Sequence, residues 1–102
     1  MKKSQFEWRT GIVEFWDLDE LDMDVPPCDQ AGHLKEDLVQ VEFPNGRILD
    51  VGWFPSFQAE GAFSISVIKG GDWENPIGKW NSRTWLEFSE TLSEAVRVAS
   101  GE

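Results

Sequence analysis

Residues 38–69 read LVQVEFPNGRILDVGWFPSFQAEGAFSISVIK, and how this stretch folds decides the rest. Two apolar runs, Leu38–Phe43 and Arg47–Trp53, flank Pro44-Asn45-Gly46. Asn-Gly between such runs is the strongest short-range hairpin signal, because both residues tolerate the positive φ of a type I′ turn. A longer connection, Phe54–Gly61, leads into Ala62–Lys69, where Phe63, Ile65 and Val67 alternate with Ser64 and Ser66. That period of two marks a half-buried strand. Leu38–Lys69 therefore predicts a three-strand antiparallel meander with one apolar face.

The C-terminal third of the chain should cover that face. Residues 70–83 (GGDWENPIGKWNSR) form an aromatic loop: Gly70-Gly71 is a turn, and Asp72–Pro76 is a polar loop round Trp73. Trp80 begins a short extended piece or packs under the sheet. The spacing then predicts a helix over 84–99. Thr84-Trp85-Leu86-Glu87 matches a capping box, and Trp85, Phe88, Leu92, Ala95, Val96 and Ala99 recur as one apolar stripe ahead of Gly101. Before the meander, Phe6–Trp16 reads as a first strand with imperfect alternation, bent or bulged at Gly11. Residues 17–37 form an irregular acidic connection, since Pro26 and Pro27 bar a helix interior there. Leu18, Leu21 and Met23 are its partial apolar anchors. The expected fold is one α+β domain: an antiparallel sheet of about four strands, with one C-terminal amphipathic helix on one face.

Composition bounds the function. At 102 residues the chain supports a single core. No segment has the length of a transmembrane helix, and Lys2-Lys3 is not followed by the apolar core of a signal peptide. The lone Cys28 rules out an intramolecular disulfide and fits a reducing compartment, so a cytoplasmic location is expected. The formal charge of −10 opposes direct nucleic-acid binding, which rests on Lys and Arg neutralising phosphates. The same charge draws a basic partner.

No catalytic set, cofactor site or metal site emerges. Nucleophilic catalysis needs an activated Ser or Cys with a base, and the single histidine, His33, sits in the acidic connection. Cys28, Asp29 and His33 are close in sequence, but a zinc site wants a second such pair. Asp17–Asp24 has the acid density of a calcium loop without its central glycine or its spaced glutamate. Asp72 and Glu74 flanking Trp73 fit loop solvation better than a catalytic pair.

The acids themselves are the functional candidate. Residues 17–37 hold eight acidic side chains against one base, Lys35. A solvated surface is the plain reading of such a run. Against it, the acids start directly after Trp16, and Asp72-Trp73-Glu74 repeats the pairing of aromatic and charge. A tryptophan hot spot inside a steering field is what a protein interface uses. The partner-binding residues are therefore expected to be Trp16, Asp17, Asp19, Glu20, Asp22, Asp24, Asp72, Trp73 and Glu74. Two other readings stand beside this one. One is a small-ligand or carbohydrate module stacking on Trp16, Trp53 and Trp73. The other is an adaptor that dimerises through the helix-free sheet face.

Pro44, Asn45, Gly46, Leu49, Val51, Trp53 and Pro55, followed by Phe63, Ile65, Val67, Ile68, Asp72, Trp73, Glu74 and Pro76, form a pattern of turns and strands ahead of a Thr-capped helix. From Val39 to Ala99 this resembles small bacterial immunity proteins of contact-dependent growth-inhibition and polymorphic-toxin systems. Residues 1–37 lie outside the resemblance. It implies a cytoplasmic antitoxin that binds one cognate toxin domain tightly and is not itself catalytic. The acidity points to a basic partner, a nuclease being the commonest kind of basic enzyme, with no direct nucleic-acid or membrane contact and a monomer when bound to the toxin. The resemblance carries over no defined binding residues.

Overall fold

A computed structural model describes residues 1–101. Five strands, β1 (Ile12–Trp16), β2 (Val39–Glu42), β3 (Arg47–Phe54), β4 (Ala62–Lys69) and β5 (Gly78–Ser82), precede one helix, α1 (Trp85–Ser100). The strands form one antiparallel sheet in sequence order, β1-β2-β3-β4-β5. The α+β class holds, with one strand more than the four expected. The extra strand is β5, in the segment read as an aromatic loop, and it pairs Trp80 with Ile65. Its sequence GKWNS carries one apolar side chain, too little periodicity to announce a strand.

The other end differs as well. Only Ile12–Trp16 of the expected strand 6–16 is extended in the sheet, and the bulge falls between Val13 and Phe15 instead of at Gly11. The bulge explains the broken alternation, since Val13 and Trp16 end up on one face, opposite Val41 and Val39. Phe6 and Trp8 leave the strand to pack with Trp16, with ring centroids 5.8–5.9 Å apart, and Phe6 also meets Phe88 edge-on at 6.3 Å.

The central hairpin forms as expected with a different turn. Within the turn Gly46 alone is left-handed (φ 86°), its N–H donates to the carbonyl of Phe43, and the N–H of Phe43 donates to the carbonyl of Arg47. This is a type I turn closed by a glycine bulge, which suits Pro44 in its first central position. Side chains of the same turn hold the helix end. Asn45 Nδ2 donates to the carbonyl of Ala99 (2.8 Å) and an Arg47 guanidinium nitrogen to that of Val98 (2.7 Å), while Gly101 closes α1 in the left-handed region. At the other end Thr84 Oγ1 accepts from the Glu87 amide at 3.1 Å, and the Glu87 carboxylate reaches back to the Arg83 amide.

The core lies between α1 and one face of the sheet. Val39, Val41, Leu49, Val51, Trp53, Phe63, Ile65 and Val67 meet Trp85, Phe88, Leu92, Ala95, Val96 and Ala99 there. Phe63 and Phe88 rings are 4.5 Å apart. Burying large aromatics of this kind stabilises a core by about 3–5 kcal/mol each, judged by truncation to Ala.

Candidate functional site

The acidic connection leaves β1 and enters β2, so it lies at the sheet end where α1 begins. Though mostly irregular, it is pinned. Leu18, Leu21, Leu34 and Leu38 are buried in the core, while Met23, the third expected anchor, stays exposed. The Gln30 side chain bonds the backbone of Asp22 in both directions and the carbonyl of Val25, and the Trp85 indole N–H also donates to Val25. The chain then runs along β3: Trp53 donates to Lys35, and the Glu36 carbonyl passes so near Gly52 that a Cβ would sit 2.1 Å from it. Glycine is required at that crossing.

With the leucines turned inward, the acids of this segment turn outward. Asp17 pairs with Lys35 at 2.5 Å and Asp19 with Lys2 at 3.5 Å. Among the described residues no base pairs with Glu20, Asp22 or Asp24, which are all exposed. Trp16 is half-buried in the aromatic cluster, and its indole N–H donates to Asp19 Oδ1 at 2.9 Å. The exposed ring beside these acids is Phe57. It lines a cleft of about 200 Å³ with Asp17, Glu20, His33 and Lys35. Phe57 has φ 63°, a conformation a bulky side chain rarely adopts, and its amide bonds to the carbonyl of Leu34 at 2.7 Å.

The Asp72-Trp73-Glu74 loop joins β4 to β5 and lies at the opposite end of the sheet, where α1 ends. Asn75 bridges both Asp72 oxygens, and the Trp73 ring is 54% exposed. The structure therefore does not gather the expected binding residues into one patch. Trp53, in turn, is fully buried, its indole N–H donating to the carbonyl of Gln58. Trp16, Trp53 and Trp73 line no common pocket, and the stacking-platform reading loses its geometry.

Between the two loops runs the sheet face that α1 leaves open. The register places Phe15, Gln40, Asp50, Ser66 and Lys79 in one row across all five strands. Ile12, Glu42, Ile48 and Ile68 form the row on one side of it, Ile68 being fully buried, and Phe54 and Ala62 close the other end. Ile12, Phe15 and Phe54 are 63%, 43% and 45% exposed. Asp50 sits in the middle, with no hydrogen bond or ion pair from any described residue. Burial, and secondarily the charge of Asp37, push its pKa up to about 6.

Among the described residues no group of three His, Cys, Asp or Glu side chains converges to hold a metal, and no helix is long and apolar enough to cross a membrane. No protein-family model, curated protein or solved structure matches this chain.

Proposed function

We propose that this chain is an immunity protein: a non-catalytic antitoxin that binds a cognate basic toxin domain, of nuclease type, and covers its active site or substrate groove with acidic and aromatic side chains. The observation that carries the reading is the unpaired set Glu20, Asp22 and Asp24, held outward on a segment fixed by buried leucines and Gln30. Like charges held together on an ordered surface gain nothing in the free protein. They gain when a cationic surface arrives, and they raise its arrival rate. The resemblance of residues 39–99 to immunity proteins supports the same reading, and a toxin acting in the cytoplasm would place its antitoxin there.

Co-expression with the toxin domain encoded immediately upstream tests it. Wild-type protein should restore growth and bind the purified domain at nanomolar affinity or better. Replacing Asp17, Asp19, Glu20, Asp22 and Asp24 together by their amides should lower the association rate about tenfold or more at low salt and flatten its salt dependence. An unchanged rate at low salt would remove these acids from the interface.

A further inference from the structure

The open face of the sheet combines two features that a solvated surface does not need. Three large apolar side chains, Ile12, Phe15 and Phe54, project from the same face of three different strand positions fixed by register. At their centre is a half-buried carboxylate without a partner. Two clefts, of about 310 and 280 Å³, open on either side of Asp50: one is lined by Phe15, Asp37 and Gln40, the other by Phe54, Ser64, Ser66 and Lys79.

We infer that this helix-free face is the main docking surface, and that it receives a protein partner presenting an arginine over Asp50 between Phe15 and Phe54. The inference rests on the reading that the partner is a basic protein, but not on that partner being a toxin. Arginine fits better than lysine. Its planar guanidinium can engage a carboxylate through two parallel hydrogen bonds, and it is more weakly hydrated than an ammonium, which suits a half-buried site between apolar side chains.

Charge chooses the occupant. Asp50, Glu42 and the adjacent Asp37 make the β1–β3 half of the face acidic, with Lys79 the one base at its far edge. A second copy of this chain would set these carboxylates against their like, on top of a net charge of −10 on each molecule. Nucleic acid and anionic lipid are repelled on the same grounds. A cationic protein surface with apolar neighbours is the occupant that satisfies both the carboxylate and the exposed rings.

Size explains the two separated loops. With strands about 4.8 Å apart and about 3.4 Å per residue, five strands offer a flat area of roughly 500 Å². That is below the roughly 800 Å² each partner buries in a specific interface. The remainder has to come from the ends of the sheet, where the acidic connection and the Asp72–Glu74 loop stand. A partner seated on the face reaches both.

The test uses the full chain, isotope-labelled for NMR, and a synthetic peptide with one arginine between two leucines, flanked by lysines. Amide shifts should cluster at Phe15, Gln40, Asp50, Ser66 and Lys79. The dissociation constant should rise at least tenfold for Asp50→Asn, and equally when citrulline replaces the arginine. Phe54→Ser should weaken binding while leaving the fold intact by circular dichroism. Shifts confined to residues 17–24 or 72–74, equal affinity for Asp50→Asn, or no binding by the wild type would each overturn the inference. Growth rescue separates it from the toxin reading. Rescue retained by Asp50→Arg would overturn the face and leave the antitoxin standing, whereas peptide docking without rescue would do the reverse.

Discussion

The two faces of the sheet are built from alternate residues of the same strands, yet they serve different ends. On the helix side, Leu49, Val51 and Trp53 of β3 are fully buried, and among the described residues Ser82 is the one buried polar residue. On the other side the intervening residues of the same strand are a half-buried Ile48, the unpaired carboxylate of Asp50, Gly52 covered by the Glu36 carbonyl, and the exposed ring of Phe54. Stability alone would have made the second face polar, as antiparallel sheets with one wet side usually are. The docking proposed for this face would account for that departure.

The contrast can be broken most severely from the helix side. Phe88→Ala removes a ring that touches Phe6, Phe63 and Trp85 and should cost about 3–5 kcal/mol. For a domain of this size that is a large share of total stability; urea denaturation measures it. Next is the bridge between turn and helix end. Arg47→Ala frees the carbonyl of Val98 and should cost about 2 kcal/mol, read as a lower melting temperature with binding intact.

The open face should respond with the opposite sign. The Asp50 pKa stands near 6 in the folded protein against an ordinary value of 3.8, so the folded state binds the extra proton between those limits. Stability contributed by this group therefore falls as pH rises from about 4 through 6, and the penalty is fully present at pH 7.5. Asp50→Asn should then stabilise the protein at pH 7.5, by on the order of 1 kcal/mol after allowing for the solvent that reaches the carboxylate. The gain should shrink at pH 5, where the wild-type group is largely neutral. Asp37 is the charged group that adds to the effect of burial, and neutralising it should lower the Asp50 pKa. The smallest effect is expected for Phe15→Ser, within about 0.5 kcal/mol in stability but clearly weaker in binding.

Much of the helix-side face was legible because its signals are local. Asn45-Gly46, the alternation of Phe63–Val67 and the stripe from Trp85 to Ala99 each specify an element within a few residues. β5 was legible only as a short extended piece at Trp80, one of two readings, since GKWNS becomes a full strand only by pairing with β4. The placement of the candidate residues was legible only in part. The acids of 17–24 are surface residues as expected, but Trp16 is tied into a cluster with Phe6 and Trp8 that no spacing announces. Phe57 and Asp50 were missed for a common reason. One lies in a connection and the other in a core hairpin, and their roles depend on register and on what α1 leaves uncovered.

The most direct test of two faces with two roles is co-expression of the upstream-encoded toxin domain with wild-type protein and with Asp50→Arg, alongside the melting temperature of each. Rescue by the wild type, loss of rescue by Asp50→Arg, and melting temperatures that agree or favour the variant are expected. Rescue by Asp50→Arg equal to wild type, or no rescue by the wild type at all, would contradict that division of roles.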